Sequence, residues 1–281
     1  WKVQKEQAFG KSALMVKTDG TLWVWGDNEY GALGMNAPEA SNYSSPVQLP
    51  GTTWSKTSTG RAASFGIKTD GTLWSWGSNG FGSLGLNQVA NYISSPTQIP
   101  GTTWRSVDTA GAYHSTIATK TDGTLWMMGA NGHGQTGQND QNVHLSSPTQ
   151  IPGTNWVDGV TSGYTVTATK ADGSLWCWGK GDTGANGQGD TTNRSSPVQV
   201  PGTWGTSRDK FDRATYGSNG SCLAINASGQ LYSWGYGQSG QLGQSSLTQL
   251  NSPVQVGSLS TWTQIAASRT GYIALINDTT P

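Results

Sequence analysis

Charged residues are scarce in this chain of 281 residues, and their scarcity argues against several functions. Asp, Glu, Lys and Arg make up 11% of the sequence, and 16 basic residues balance 16 acidic ones. Because proteins that bind nucleic acid do so through clustered Lys and Arg, no nucleic-acid partner is expected. No apolar run approaches the roughly 20 residues that cross a bilayer, so membrane insertion is not expected either.

Cysteine and histidine, which carry much of the metal and nucleophile chemistry of proteins, are also rare. Cys177 and Cys222 are the only cysteines, and they predict two buried free thiols rather than a disulfide framework. His133 and His144 lie eleven residues apart with Gln, Asn and Asp as polar neighbours, which is not the ligand set of a zinc site. We expect both to be exposed loop histidines.

Sequence motifs of catalysis and cofactor binding are missing as well. The chain contains no GxxxxGK, GxSxG or HExxH. Residues 132–137 and 179–184 match GxGxxG, but neither stretch opens the helix of a βαβ unit, so we interpret them as turn glycines. Residues 187–190 lack the repeated aspartates of a calcium site. The prediction is that the protein is not an enzyme and has no cofactor and no metal.

What the sequence has in abundance is glycine, with 40 residues, and tryptophan, with 14, and both follow an internal repeat. One block recurs five times: TDGTLWVWG from Thr18, TDGTLWSWG from Thr69, TDGTLWMMG from Thr121, ADGSLWCWG from Ala171 and ASGQLYSWG from Ala227. A second block follows each copy: SSPVQLPGTTW from Ser44, SSPTQIPGTTW from Ser94, SSPTQIPGTNW from Ser146, SSPVQVPGTW from Ser195 and the degenerate NSPVQVGSLSTW from Asn251. The period of about 52 residues is marked by one tryptophan per repeat: Trp1, Trp54, Trp104, Trp156, Trp204 and Trp262.

Each repeat predicts four short strands. The Asp-Gly pair is a strong signal for a hairpin turn, because both residues tolerate positive φ. After it, Leu22 and Val24 point to one face of a strand while Trp23 and Trp25 point to the other. The Pro-Val-Gln strand belongs at an outer edge, since proline cannot donate a ladder hydrogen bond. We predict an all-β fold, a β-propeller of four-stranded antiparallel blades in a single domain, with repeats at about 1–53, 54–103, 104–155, 156–203, 204–261 and a partial 262–281.

The pattern Asp-Gly-x-Leu-Trp-x-Trp-Gly-x-Asn-x-x-Gly-x-Leu-Gly is complete at residues 19–34 and 70–85. It resembles the regulator of chromosome condensation repeat over nearly the whole chain. The resemblance implies a propeller but no single function, since members include exchange factors, inhibitors, light sensors and virion or surface proteins. It also implies a structural role for His114. The light-sensing Gly-Trp-Arg-His-Thr repeat does not occur here, so we expect the tryptophans to serve packing.

The two ends of the repeat array depart from the family pattern of seven blades. Asp278 falls where Asp70 stands in its repeat, so the sixth unit is expected to contain its first two strands only. We favour a six-bladed ring with an incomplete last blade, and a fragment of a seven-bladed ring is the alternative. The chain opens at Trp1 rather than Met and shows no signal peptide, which indicates a processed, trimmed or longer protein.

One candidate partner site is an insertion in the fifth repeat. Residues 204–226 are about eight longer than the matching stretch 54–69. Loops carried on rigid scaffolds commonly perform recognition, so we predict a partner-binding loop, with a merely solvated loop as the alternative. The predicted contact residues are Arg208, Lys210, Phe211, Asp212 and Arg213.

A second candidate is the set of variable loops between the Leu-Gly and Ser-Pro blocks. They are rich in Asn, Gln, Ser and Thr, and Tyr43 and Tyr92 are predicted as aromatic anchors. If these loops share one side of the blades, they form an uncharged polar rim suited to a protein or glycan surface. The loops are residues 35–43, 86–93, 138–145, 188–194 and 244–250.

These observations favour a non-enzymatic binding or structural scaffold. The leading hypothesis is an exposed phage virion or tail-fibre component or a bacterial surface adhesion module, located outside the cell or on the virion surface. The alternatives are a secreted protein-inhibitor propeller and an intracellular regulator resembling a guanine-nucleotide exchange factor. An unfinished last blade would leave strand edges open, so assembly into a larger complex or a homo-oligomer is also expected.

Overall fold

The computed structural model describes residues 11–37, 41–60, 62–109, 115–162, 164–216, 219–268 and 271–277. In these residues the chain forms β-strands and two three-residue 3-10 turns, Glu29–Gly31 and Arg208–Lys210, and the predicted all-β fold is confirmed. None of the described helical segments is long and apolar enough to span a membrane. The chain divides into two compact units, residues 1–131 with 143–154 and residues 132–142 with 155–281. The assignment of one domain to residues 1–281 stays a prediction.

Within its described residues, the first unit contains three antiparallel sheets, in which strands pair in sequence order. Sheet 1 consists of β1 (Ser12–Val16), β2 (Leu22–Gly26) and β3 (Tyr43–Leu49). Sheet 2 consists of β4 (Trp54–Thr59), β5 (Ala63–Lys68), β6 (Leu73–Ser78) and β7 (Tyr92–Ile99). Sheet 3 consists of β8 (Trp104–Thr109), β9 (Ser115–Lys120), β10 (Leu125–Gly129) and β11 (Leu145–Gln150). The proline-bearing strand lies at one edge of each sheet, as predicted.

The second unit repeats this plan with an unequal last sheet. Sheet 4 consists of β12 (Trp156–Thr161), β13 (Thr165–Lys170), β14 (Leu175–Gly179) and β15 (Arg194–Val200). Sheet 5 consists of β16 (Phe211–Tyr216), β17 (Asn219–Ile225), β18 (Leu231–Gly235) and β19 (Leu250–Gln255). Sheet 6, within the described residues, consists of β20 (Trp262–Ala267) and β21 (Tyr272–Ile276), the two strands expected for the partial sixth repeat.

The Asp-Gly-Thr-Leu-Trp block forms a hairpin turn with a built-in hydrogen-bond relay. Asp70 accepts hydrogen bonds from the Thr72 backbone N–H at 2.9 Å and from the Thr72 hydroxyl at 2.7 Å. The Thr72 hydroxyl oxygen in turn accepts the indole N–H of Trp74 at 2.9 Å. Gly71 has φ of +78°, and a Cβ there would lie 2.9 Å from the Thr103 backbone nitrogen, so only glycine fits. The same relay recurs at Asp19, Asp122 and Asp172.

The second tryptophan of the block joins neighbouring repeats through a buried hydrogen bond. Trp76, Trp178 and Trp234 are fully buried. Each indole N–H donates to a backbone carbonyl in the Gly-rich loop of the preceding repeat. The acceptors are Ala32 at 2.9 Å, Gln135 at 2.9 Å and Ala185 at 3.1 Å. Trp76, Trp178 and Trp234 therefore each attach their sheet to the loop of the preceding repeat.

The Ser-Ser-Pro block forms a second link between repeats. Asn87 adopts a left-handed conformation with φ of +55°, and its backbone N–H donates to the Ser146 carbonyl at 2.7 Å. The Asn87 side-chain oxygen accepts the Ser147 hydroxyl at 3.0 Å. Asn36 and Asn139 make the equivalent backbone bonds to Ser94 and Ser195. The block therefore provides the partner for the loop of the preceding repeat, in addition to an edge strand.

The hydrophobic cores lie between adjacent sheets. One cluster joins sheets 1 and 2, a second joins sheets 2 and 3, a third joins sheets 4 and 5, and a fourth joins sheets 5 and 6. Cys177 and Cys222 belong to the third cluster and are buried free thiols, as predicted. Burial on both faces explains why successive residues of the inner strands, which point to opposite faces, both carry bulky side chains.

Candidate functional site

The insertion of the fifth repeat enters the structure at two places. Phe211 pairs with Ala224, and Thr57 of the second repeat holds the same register position, opposite Gly66. Phe211 follows its marker tryptophan by seven residues, whereas Thr57 follows Trp54 by three, so four extra residues precede β16 and include the 3-10 turn. The other four lengthen the hairpin, since Arg213 and its partner Cys222 are nine residues apart where Thr59 and Ser64 are five apart.

This placement corrects the prediction of an exposed loop. Phe211, Asp212 and Arg213 lie in β16, and their side chains are fully buried, so in this conformation they present no surface to a partner. The reason is that the extra residues lie before β16 and in the hairpin after it. Phe211, Asp212 and Arg213 therefore keep the same strand register as their counterparts in the other repeats. Arg208 and Lys210 lie in the 3-10 turn and are partly exposed. Partner binding through these two residues stays a prediction.

Arg208 is bound to the strand that follows it. Its guanidinium donates to the Phe211 carbonyl at 3.0 Å and lies 3.6 Å from the Asp212 carboxylate. Asp212 also accepts the backbone N–H of Arg213 at 2.8 Å and that of Ala267 at 2.9 Å. The carboxylate therefore connects β16 to β20 of the next sheet, which is a structural task.

Arg213 occupies a position that Thr59, Thr109 and Thr161 hold in the other repeats. Its guanidinium reaches into sheet 4, where Nε donates to the Thr167 hydroxyl. Nη2 donates to the carbonyls of Val166 at 3.3 Å and Ala185 at 3.0 Å. A buried cation on three oxygen acceptors links two sheets, and it offers no access to substrate.

The two thiols flank the same hydroxyl. Thr167 Oγ1 lies 3.4 Å from the sulfur of Cys177 and 3.8 Å from that of Cys222. Burial raises the pKa of the Cys222 thiol well above its ordinary value, so it stays protonated. Because the thiolate is the nucleophile, a buried thiol of raised pKa is chemically inert.

The two predicted aromatic anchors differ in exposure. Tyr43 begins β3, is partly buried and packs against the core between sheets 1 and 2. Tyr92 begins β7 and is 39% exposed. Their registers differ by one residue, since Tyr43 lies opposite Gly26 while Ile93, which follows Tyr92, lies opposite the equivalent Gly77. Contact of either residue with a partner stays a prediction.

The five variable loops are accessible throughout the part of the chain that the structure describes, where none of their residues is buried. Each loop leads into the first residue of the edge strand of its sheet. The expectation of an uncharged rim is wrong in detail, because Asp140, Asp190 and Arg194 belong to these loops. Arg194 and Asp190 pair at 2.6 Å, which cancels their charges locally.

His133 and His144 each contact a neighbouring segment of the chain. His144 is exposed, as predicted, and its Nδ1 accepts the backbone N–H of Asn131 at 3.0 Å. His133 is partly buried, which corrects the expectation of exposure, and its ring meets that of Tyr164 edge-on at 4.6 Å. Burial, followed by the charge of Lys180, lowers the pKa of His133. His114 lies outside the described residues. No group of three His, Cys, Asp or Glu in the described chain could hold a metal.

Two grooves at equivalent positions were not predicted from the sequence. The groove of sheet 2, about 310 Å³ in volume, includes the ring pair Trp54 and Trp74 together with Lys68. The groove of sheet 5, about 340 Å³, has Trp204, Tyr232 and Asn226 at the same positions. The sequence signal was the change from TDGTLWxWG to ASGQLYSWG, which we interpreted as one more copy of the block.

The antiparallel sheets are built from one repeated unit, and buried tryptophans attach sheets 2, 4 and 5 to the loop of the preceding repeat. These features define the blades of a β-propeller. The chain belongs to the Regulator of chromosome condensation (RCC1) repeat family. Four stretches match that repeat, residues 19–66, 70–118, 172–224 and 228–275, and a related form of the repeat matches residues 54–83.

Curated relatives and solved structures agree with this assignment. The ultraviolet-B receptor UVR8 of Arabidopsis thaliana is 28% identical over 254 residues, which cover 90% of this chain and 46% of the receptor. The probable E3 ubiquitin-protein ligase HERC4 of Rattus norvegicus is 28% identical over 142 residues, which cover 50% of this chain and 13% of the ligase. The chain thus spans less than half the length of these relatives.

Among solved structures, human WBSCR16 superimposes with a TM-score of 0.80 at 20% identity and covers 96% of this chain and 71% of its own. Yeast RCC1 (Prp20), in a crystal structure with Kap60, superimposes with a TM-score of 0.76 at 14% identity. The match covers 96% of this chain and 67% of the yeast chain. At these identities the likeness shows the fold.

Proposed function

We propose that the chain is a non-enzymatic binding scaffold whose variable loops hold a partner protein, and that it works as an exposed structural or adhesion module of a virion or a bacterial surface. The observation that supports this proposal is the accessibility of the five loops, in which no described residue is buried. Each loop is anchored where its edge strand begins, so recognition residues sit on rigid supports.

The carboxylates of the hairpin turns are engaged in the architecture. The aspartates of the hairpin turns accept two hydrogen bonds each from the turn residue that follows. These bonds lower the carboxyl pKa, so the groups are poor proton donors near neutral pH. Among solved relatives of the fold, yeast RCC1 has Kap60 bound to it, which supports a partner protein.

The composition supports the proposed location. Low charge with abundant Asn, Gln, Ser and Thr is common in extracellular and virion proteins. Antibodies against the purified chain should therefore label intact particles or unpermeabilised cells of the source organism. Labelling that requires permeabilised cells would contradict the surface location and favour an intracellular regulator.

The binding role is tested on one loop. Val89 and Tyr92 are exposed by 64% and 39%, and replacing both with Ser removes the two most exposed large apolar side chains of loop 86–93. Binding of the labelled protein to target cells should weaken by about tenfold. The matched control is Leu259→Ser, because Leu259 is 49% exposed but lies outside the five loops. Equal binding by the loop variant and the control would exclude this loop as a contact.

A further inference from the structure

The fifth repeat departs from the others at the ring pair that lines its groove. In sheets 2, 3 and 4 a lysine ammonium lies over both tryptophan rings, as Lys68 does at 5.0 Å from Trp54 and 4.0 Å from Trp74. Such a cation over an aromatic face is an attractive contact. Sheets 3 and 4 repeat the arrangement with Lys120 on Trp104 and Trp126 and with Lys170 on Trp156 and Trp176.

In sheet 5 the lysine position is taken by Asn226, whose amide is turned toward its own hairpin. Its side-chain oxygen accepts the backbone N–H groups of Ser228 at 3.0 Å and Gln230 at 2.9 Å. Its side-chain nitrogen donates to the amide oxygen of Gln230 at 2.7 Å. The ring pair is Trp204 and Tyr232, with centroids 5.4 Å apart. No cation lies over these rings in the described residues, and none of the lining residues is charged.

The lining of this groove combines aromatic, apolar and hydroxyl groups. Tyr232 and Trp204 supply rings, and Pro201 and Pro253 supply apolar walls. Three hydroxyls of the lining, those of Thr203, Tyr232 and Ser252, make no hydrogen bond to any part of the chain that the structure describes. The groove volume of about 340 Å³ falls within the range of small-molecule sites, roughly 300–1,000 Å³.

The groove is also preformed by main-chain bonds. The Trp204 backbone N–H donates to the Gly173 carbonyl at 2.8 Å, and the Ala227 N–H donates to the Thr203 carbonyl at 3.1 Å. On the opposite side, the Gly189 N–H donates to the Asn251 carbonyl at 2.8 Å. A ligand would thus find its walls in place and cost little ordering of the protein.

We propose that this groove binds a neutral oligosaccharide. A pyranose ring has an apolar C–H face that packs on an aromatic ring, and its rim of hydroxyls matches the three free hydroxyls of the lining. An uncharged lining gives no advantage to an anionic sugar or a charged peptide. The site belongs to sheets 4 and 5 and is independent of the proposed loop function, since the purified chain would bind sugar wherever the protein is located.

The test restores the turn that the other repeats use. The triple variant N226K/S228D/Q230T rebuilds the Lys-x-Asp-Gly-Thr turn of residues 68–72 and should fold, because equivalent turns stand at three other hairpins. It places an ammonium over the rings and should weaken sugar binding at least about tenfold. Tyr232→Phe keeps the ring and removes one hydroxyl, so it should weaken binding by a smaller factor. The control is Lys68→Arg, which keeps a cation beside the rings of the sheet 2 groove and should leave sugar binding unchanged.

Binding is measured by saturation-transfer NMR and titration calorimetry with named probes. The neutral probes are hexasaccharides of α-1,4-glucose, β-1,4-glucose, β-1,4-mannose and β-1,4-N-acetylglucosamine, and the comparison probes are a sialylated trisaccharide and a proline-rich decapeptide. Binding of a neutral hexasaccharide that the triple variant loses supports the proposal. The proposal is overturned by binding that the triple variant retains, by preference for either comparison probe, or by the absence of a signal from all four neutral probes.

Discussion

The buried tryptophans that pin neighbouring repeats offer a sharp test of the hydrogen-bond geometry. Replacing Trp178 or Trp234 with Phe removes the same indole N–H and the same part of a fully buried ring. The shared loss, one net hydrogen bond and a small cavity, amounts to about 2 kcal/mol of unfolding free energy. Both residues belong to the second unit, so the comparison is made within one compact body.

The two substitutions differ in what they leave behind. After Trp234→Phe, the Ala185 carbonyl still accepts Arg213 Nη2 at 3.0 Å. After Trp178→Phe, the Gln135 carbonyl has no other donor among the described residues. An orphaned buried carbonyl costs about 1–3 kcal/mol, so Trp178→Phe should destabilise by that much more than Trp234→Phe.

The assay is urea unfolding followed by far-ultraviolet circular dichroism, because tryptophan fluorescence would change with the substitution itself. A control in the first unit creates an unpaired buried carbonyl in two separate substitutions. The Ala32 carbonyl accepts both Trp76 at 2.9 Å and the Ser64 hydroxyl at 2.8 Å, so Trp76→Phe should resemble Trp234→Phe. Adding Ser64→Ala should then impose the extra cost. Equal destabilisation by Trp178→Phe and Trp234→Phe would refute the reasoning.

Three further predictions concern charge. Arg213→Met nearly keeps the side-chain volume and removes a buried cation, so it should lower the unfolding free energy measured in urea by at most about 1 kcal/mol. Arg213→Ala leaves a cavity and should lower it by about 3 kcal/mol. Equal losses for the two variants would contradict this prediction. The folded pKa of the turn aspartates is lowered by the following Thr or Ser, so they stabilise the fold above about pH 4 and lose that effect as the pH falls. Asp→Asn at all four positions should make the urea midpoint depend less on pH between about pH 5 and 3; the positions are Asp19, Asp70, Asp122 and Asp172. An unchanged pH dependence of the midpoint would contradict this prediction. Burial lowers the pKa of His133 in the folded protein, so on acidification His133 takes up its proton at a higher pH in the unfolded chain than in the folded one. The Tm should therefore decrease as the pH is lowered from about 7 to 5.5. His133→Phe should lessen that fall while keeping the ring contact with Tyr164.

The repeat pattern predicted most of the fold because each recurring residue has a local physical reason. The Asp-Gly pair fixes the hairpin, and the proline in each fourth strand marks an edge, since Pro46, Pro96 and their equivalents lie in edge strands. The links between repeats could not be predicted in the same way. That Asn87 bonds to Ser146 and Ser147 depends on which loop faces which strand, and a period alone does not fix this.

The fifth-repeat insertion was misplaced for two physical reasons. Its length gives the number of extra residues but not the points where the chain leaves and rejoins the sheet. Its charges suggested exposure, because Arg and Asp are almost never fully buried unless paired. Arg213 and Asp212 are the exception, since their acceptors and donors come from Thr167, Ala185 and Ala267, far away in sequence.

The groove of sheet 5 shows why a degenerate repeat can carry more information than a complete one. In the relay, the Asp70 carboxylate accepts the Thr72 hydroxyl, and that hydroxyl accepts the indole of Trp74. Once the carboxylate becomes Ser228, a threonine two residues later would lose the carboxylate that accepts its hydroxyl. Once that threonine becomes Gln230, a tryptophan at the next ring position would lose the hydroxyl that accepts its indole N–H. The changes to Ser228, Gln230 and Tyr232 are therefore linked, and with Asn226 they form a single substitution of the turn. Four changes that look like separate drift in the sequence thus act on one surface, and together they leave it uncharged and lined by free hydroxyls.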